Sequence, residues 1–341
     1  MAAVERGVVP DALVRLGIRR LLEQRLAEIG DREPDAAAEA AERFVAAMRE
    51  APIAPLPQLA NAQHYELPPE FFARVLGPHM KYSCCHWPPG ATDLETAERS
   101  ALESTCERAG IGEGQDILEL GCGWGSLSLW MARRHPSSRV TAVSNSRPQR
   151  EFILARARQA GLANLVVLTA DMNDFDPRAR FDRIVSVEMF EHMRNWPRLF
   201  ARVRDWLRHD GRFFMHVFCH RGAPYEFVDA GPQDWMSRHF FAGGMMPGDD
   251  LPLRLQDDLQ IDARWRWSGR HYQRTARAWL ERMDVQRPAL EPVLRAAYGD
   301  AAPIWRMRWR LFFMACEELF GWEGGRRWWV GHYRFKPRSA R

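Results

Sequence analysis

Lysine is almost missing from this sequence: of 48 basic residues only Lys81 and Lys336 are lysines, a bias that fits a GC-rich coding sequence and carries no functional message. The formal charge of +4 over 341 residues is not gathered into a basic block. That leaves no electrostatic footprint of a nucleic-acid surface and points to a small-molecule partner. Paired cysteines are missing as well. The six cysteines (Cys84, Cys85, Cys106, Cys122, Cys219, Cys316) form no CxxC pair and have no zinc-like histidine spacing, so neither a disulfide framework nor a metal site is expected. No run reaches the roughly eighteen apolar residues of a membrane span, and no cationic-then-apolar leader opens the chain. A soluble protein of the reducing cytoplasm is expected, with no mark of its oligomeric state. Against these absences stand 46% hydrophobic and 27% charged residues, enough for a sizeable core.

Three textures follow one another. From Asp11 to Ile29, and again in the Ala-rich stretch Asp35 to Met48, apolar residues recur at helical spacing, so residues 1–60 are expected to form a helical appendage. Gly17 weakens the first helix. The appendage packs on the core or, as an Arg-bearing amphipathic helix, lies on a membrane surface. The cluster Ala51-Pro52-Ile53-Ala54-Pro55-Leu56-Pro57 ends it. From about Leu94 to Phe218, the runs Asp116–Leu120, Arg139–Val143, Leu165–Thr169, Phe181–Val187 and Arg212–Phe218 alternate with helical patterns, which predicts βαβ units and a parallel sheet. Residues 221–257 are rich in Gly, Pro, Trp and Met, fit neither period and read as a lid insertion into the domain spanning 61–341. Beyond it, Leu259–Trp267 reads as a strand, Ala276–Met283 and Trp305–Phe320 as helices, and Trp328–Phe335 as a last edge strand.

The chemistry begins at Glu119-Leu120-Gly121-Cys122-Gly123-Trp124-Gly125, where a strand turns through three glycines into a helix starting near Ser126. Glycines let the backbone approach a ligand, and the helix N-terminus favours a negative group. A structural turn without a ligand has the same spacing. A dinucleotide fingerprint would read G-x-G-x-x-G, with an acidic residue ending the second strand. Here the loop is G-x-G-x-G and the second strand ends in Ser144-Asn145, which disfavours NAD.

At the end of the fourth strand stands Ser186-Val187-Glu188-Met189-Phe190-Glu191-His192, where the carboxyl ends of parallel strands open into a ligand crevice. If the segment is helical after Glu188, then Glu188, Glu191 and His192 share one face as an acid/base set. Glu191 and His192 capping a helix or forming a buried pair is the structural alternative.

These residues carry a family resemblance. Lys81-Tyr82-Ser83-Cys84-Cys85, the Leu118–Gly125 run and Phe181-Asp182-Arg183-Ile184-Val185-Ser186 resemble the cyclopropane fatty acid synthase-like methyltransferases. Within that group the sequence is most similar to the coclaurine N-methyltransferase branch, through Glu188–Met193, Val217-Phe218-Cys219-His220, Asp234-Trp235-Met236, Phe240-Phe241-Ala242-Gly243-Gly244 and Met283-Asp284. The resemblance implies a class I S-adenosylmethionine-dependent methyltransferase: an α/β, Rossmann-like, seven-stranded sheet with its last strand antiparallel.

It also implies roles. Tyr82 and Ser83 with Gly121 and Gly123 would hold the methionine part of S-adenosylmethionine, Ser144 and Gln149 the ribose, and Asp171 and Met172 the adenine; Asp171 starting a turn is the plain alternative. Lipid-cyclopropanating members resemble this chain at Cys84, Glu191 and His216, a bicarbonate site in them, but usually have Gly at 188. In the N-methyltransferases, residues matching Glu188, Glu191 and His192 bind and deprotonate an amine. An alkylammonium with a pKa near 10 has no lone pair at neutral pH until a base removes its proton. Trp235, Phe240, Phe241, Met245, Met246 and Trp328 would wall the substrate pocket, suiting an apolar or aromatic amine, although such residues are also ordinary core. No metal is needed. A lipid cyclopropanase or C-methyltransferase, and a noncatalytic cofactor-binding protein, are the alternatives.

Overall fold

A computed structural model describes residues 1–30, 34–56, 67–231 and 234–338. The expected boundary at residue 60, and Pro57 of the breaker cluster, lie outside the described residues.

Seven strands form the main sheet in the order β3-β2-β1-β4-β5-β9-β8. They are β1 (Asp116–Leu120), β2 (Arg139–Ser144), β3 (Leu165–Thr169), β4 (Phe181–Val187), β5 (Leu207–His220), β8 (Leu259–Trp267) and β9 (Trp328–Pro337). The first five pair in parallel. β9 runs antiparallel between β5 and β8, so the last strand is antiparallel as expected. It is not the edge, however: β8 is, and β9 is an interior strand. The run Trp328-Trp329-Val330-Gly331-His332-Tyr333 suits that position, since five of its six residues are buried and both of its faces lie against protein.

Alternation along the strands splits the core into two layers. Leu118, Leu120, Ile184, Phe213 and Met215 pack against the helix Trp196–Trp206. Ile117, Val185 and Phe214 face the other way, with Leu102, Leu127, Met131 and Ile153 from the helices Leu94–Ala109, Ser126–Arg134 and Arg147–Gln159. Local chemistry fixes where these helices start. Asp93, Ser146 and Asn195 accept from the backbone of Thr96, Gln149 and Arg198 respectively, and Pro occupies the first turn after Ser146 and Asn195.

The N-terminal helices run from Asp11 to Glu28 and from Pro34 to Glu50, close to expectation. The first continues through Gly17, where an added Cβ would meet nothing within 4 Å. It is clamped to the helix Ala302–Gly321 by Arg15, which donates to Glu317 and Glu318 at 2.7 Å each. Between β5 and β8, residues form a short hairpin of β6 (Tyr225–Glu226) and β7 (Met245–Met246), the helix Trp235–His239 and a helical turn Leu251–Arg254. Among the described residues no helix is long and apolar enough to cross a membrane.

Candidate active site

The carboxyl ends of β1, β2 and β4 converge on the glycine loop. Gly121 and Gly125 have φ of 78° and 79°, and a Cβ on either would sit 2.5–2.6 Å from Met189 or Ile153. Only glycine fits both the left-handed backbone and the space. Gly123 has φ 51°, and nothing lies within 4 Å of its added Cβ; its open side faces a cavity lined by Gly121, Ser144, Gln149, Met172, Glu188 and His192. Ser144 donates to Gln149 Oε1 at 2.7 Å, while Gln149 Nε2 is buried with no partner. A second opening of the loop is lined by Tyr82, Ser83 and Glu188. Ser83 accepts from the buried Lys81 ammonium at 2.6 Å, which also donates to the Cys84 carbonyl. Asp171 accepts from Asn173 N at 2.8 Å in a turn, and the neighbouring Ala170 and Met172 face the cavity.

Glu188 is the centre of the site. Its backbone lies in the left-handed region at φ 48°. Its Oε1 accepts from Cys84 N at 2.9 Å and pairs with His216 Nε2 at 3.1 Å, while Oε2 accepts from Tyr272 OH at 2.7 Å. The conditional helix after Glu188 does not form. Phe190–His192 is one 3₁₀ turn that stops at Met193, whose backbone is extended (φ −101°, ψ 136°), and the left-handed backbone at Glu188 keeps that residue out of it. Glu188 therefore stands outside the turn that carries Glu191 and His192.

Glu191 is buried and accepts from Phe218 N at 2.8 Å; its other oxygen is buried without a partner. Burial, joined by repulsion from Glu188, raises its carboxyl well above the usual range. Burial also raises Glu188, but Lys81 and the donors Cys84 N and Tyr272 oppose the shift. Of the two carboxyls, Glu191 is pushed further toward its protonated form, because the cation and donors that favour a carboxylate gather around Glu188. Burial pushes His192 down to about 4, against the pull of Glu188, so its imidazole is neutral at pH 7.

Behind Tyr272 and Phe218 lies an apolar cavity of about 490 Å³. Trp235, Phe241 and Met246, which the sequence suggests as substrate-pocket walls, line this cavity. So does the first N-terminal helix, through Val14, Ile18 and Leu22: the appendage forms part of the cavity wall. Three expected wall residues stand back from it. Phe240 is fully buried and stacks on Phe312 with ring centroids 4.4 Å apart. Met245 pairs with Glu226 in the hairpin. Trp328 is fully buried and donates to Tyr225 OH at 3.1 Å. On strands and short turns, neighbouring residues point to opposite sides, so each aromatic or methionine pair divides between core and cavity. The burial of Cys84 raises its thiol well above the ordinary value; its part in the site is the backbone N–H.

Sequence reasoning missed Tyr272, the buried Lys81 ammonium and the Phe218 amide as partners of the carboxylates. Tyr272 lies on the helix Gly269–Val285, where only its period-3.6 burial marked it. The backbone donors leave no signal in side-chain identity.

A twisted sheet whose parallel half ends in a glycine loop, whose last strand is antiparallel, and whose crevice holds an acidic pair defines a class I S-adenosylmethionine-dependent methyltransferase. A family model described as Mycolic acid cyclopropane synthetase matches residues 57–324, and the chain belongs to that family. It is similar to (S)-coclaurine N-methyltransferase of Thalictrum flavum subsp. glaucum, 34% identical over 340 residues that cover 98% of this chain and 94% of that enzyme. A cyclopropane-fatty-acyl-phospholipid synthase of Escherichia coli K12 is 32% identical over 226 residues, 66% of this chain and 56% of that one. The crystal structure of coclaurine N-methyltransferase bound to N-methylheliamine and SAH superposes with a TM-score of 0.95 at 33% identity, covering 98% of both chains.

Proposed function

We propose that this enzyme methylates the nitrogen of a small apolar or aromatic amine. The observation that carries the reading is Glu188: a buried carboxylate, held in left-handed backbone, that lines the glycine-loop cavity and is bonded to Tyr272, a wall of the apolar cavity. A residue held in strained backbone at a ligand crevice is a functional candidate, and an anion there suits a cationic acceptor.

The cofactor cradle fits S-adenosylmethionine. Gly121 and Gly123 with Tyr82 and Ser83 take its methionine end. Ser144 and the unpartnered Gln149 Nε2 take the ribose, and Met172 with Asp171 the adenine. When bound, it supplies an electrophilic methyl group on a sulfonium. The protein does the rest: Glu188 attracts and orients the ammonium, and neutral His192 takes its proton. Glu191, protonated beside Glu188, can serve as a base only after releasing its own proton to solvent, a loss that the positive charge of the bound amine favours. The apolar cavity excludes water and aligns the nitrogen.

The test is incubation with labelled S-adenosylmethionine and a panel of primary amines, secondary amines and unsaturated phospholipids. Label is expected in an amine; label appearing only in lipid sinks the reading and favours cyclopropanation. In the responsive amine, Glu188→Gln is expected to lower kcat/KM on the order of 10²-fold, mostly through KM, the usual cost of truncating a buried charge pair. His192→Ala should lower kcat by about 10²-fold or more, as expected for a general base. Unchanged turnover in His192→Ala would remove it from the mechanism.

A further inference from the structure

Behind Glu188 runs a chain of buried hydrogen bonds that the reaction itself does not use. His216 Nε2 lies 3.1 Å from Glu188 Oε1. His216 Nδ1 lies 3.0 Å from His332 Nε2. His332 Nδ1 lies 2.6 Å from an Arg108 guanidinium nitrogen. Both histidines are fully buried; Arg108, on the helix Leu94–Ala109, is half-buried. The sheet builds the chain: β9 pairs His332 directly with His216 on β5 and with Trp265 on β8. The Arg108 guanidinium lies over both Trp265 and Trp267 at 5.4 Å, and the Trp267 ring meets His332 edge-on at 4.3 Å.

Arginine has donors and no acceptor. His332 Nδ1 facing it must therefore present a lone pair, which places the one proton of a neutral His332 on Nε2. That N–H points at His216 Nδ1, which must in turn be a lone pair, so His216 carries its proton on Nε2 and donates to Glu188. Which nitrogen of an imidazole is protonated is set by the bond the other nitrogen makes, and here a fixed donor at one end sets two rings in series. Burial pushes both rings well below the ordinary histidine value, which keeps them neutral. In the reverse arrangement, His216 would turn a lone pair toward the carboxylate.

We propose that Arg108 is a positioning residue that locks His332 and His216 in the tautomers that make His216 a hydrogen-bond donor to Glu188, holding Glu188 as a carboxylate three hydrogen bonds away from the guanidinium. The proposal rests on the reading that Glu188 binds the substrate ammonium. The groups facing Glu188 are Lys81 and Cys84 from the loop before the Leu94–Ala109 helix, Glu191 and His192 from the 3₁₀ turn, His216 from β5, Tyr272 from the Gly269–Val285 helix and Cys316 from the last helix. Arg108 touches none of the reacting atoms, so its influence must pass through the two rings.

Three variants test it in the full-length enzyme with whichever amine the labelling panel identifies. Arg108→Met keeps an apolar stem over Trp265 and Trp267 and removes the donor. Arg108→Lys keeps a donor. His332→Phe fits the aromatic slot between Phe214 and Trp267 and cuts the chain in the middle. The first readout is ¹⁵N NMR of histidine-labelled protein without substrate, which is independent of any assumption about the acceptor. In the parent enzyme His216 and His332 are expected to show protonated Nε2 and unprotonated Nδ1. A protonated Nδ1 on either ring overturns the proposal. The second is the pH profile of kcat/KM. In Arg108→Met and His332→Phe, His216 is no longer fixed as a donor to the carboxylate, so the acid limb should move to higher pH and neutral-pH kcat/KM fall by about tenfold, through KM, the size of one hydrogen bond to a charged group. Arg108→Lys should restore most of both. A packing role alone would lower thermal stability in all three while the His216 tautomer in Arg108→Met and His332→Phe stays as in the parent, and that result overturns the proposal. A His216 tautomer released in those two variants with an unmoved limb would instead place the failure in the role given to Glu188.

Discussion

A glutamate in left-handed backbone costs on the order of 1 kcal/mol relative to glycine, and at Glu188 that cost is offset by two hydrogen-bond donors, Cys84 N and Tyr272 OH, and by the His216 ring at its carboxylate. Its neighbour across the crevice is limited more severely: a methyl group on Gly121 meets Met189 at 2.5 Å in a backbone that also disfavours any side chain. Gly121→Ala is expected to destabilise the protein by about 1–3 kcal/mol and to weaken cofactor affinity at least tenfold, measured by calorimetric titration of S-adenosylhomocysteine into refolded or stabilised protein; unaltered affinity would mean that the loop does not approach the ligand. The sequence brings Glu188, Glu191 and His192 to notice because they stand within five residues just beyond one strand end. It does not bring their partners to notice. Tyr272 is 84 residues from Glu188 and Arg108 is 224 from His332, and pairings across such distances are decided by sheet order, which no local pattern records.

At the level of elements, the parallel strands β1 to β4 could be read to within a residue or so, since alternation of short apolar runs with capped helices has one favoured solution. β9 was legible as a strand but not as an interior one, because its place depends on β8 moving outward to make room. The first N-terminal helix was legible as a helix, while its role was hidden: only the packed structure shows that Val14, Ile18 and Leu22 wall the apolar cavity. Arg15 holds that helix down by donating to Glu317 and Glu318, of which Glu317 has a side chain 1% exposed. Arg15→Leu is therefore expected to lower stability by about 1–3 kcal/mol, the cost of weakening a buried charge's hydrogen bonds. KM for the amine should rise while affinity for the cofactor stays level. Thermal melts and steady-state kinetics check this, and an unchanged KM would mean that the amine does not bind in the apolar cavity that this helix walls.

For the whole molecule, buried ionisable groups set the response to pH. Burial raises Glu119 to about 8 and Glu98 to about 7; the stability linked to such groups is present below their unfolded values and is lost as pH rises through the folded ones. Burial lowers His192 and His271 to about 4; here stability is present above the unfolded value near 6.5 and is lost as pH falls toward 4. The two sets oppose each other between about pH 4.5 and 6.5, and above that only the carboxyls remain. The melting temperature is expected to fall as pH rises from about 6.5 to 8, and Glu119→Gln to flatten that fall; a melting temperature rising over the interval would contradict the burial of these carboxyls as neutral groups. The interior position of β9 has a kinetic consequence of a different kind. The edge strand β8 finds its hydrogen-bonding partner only after the helices between Gly269 and Gly321 have been traversed and β9 is in place, and His332 reaches His216 at the same moment. Long-range pairing of this sort is slow and comes late in folding, so the parallel half of the sheet can collapse first, and the contact between His216 and His332 is completed by the last strand to dock.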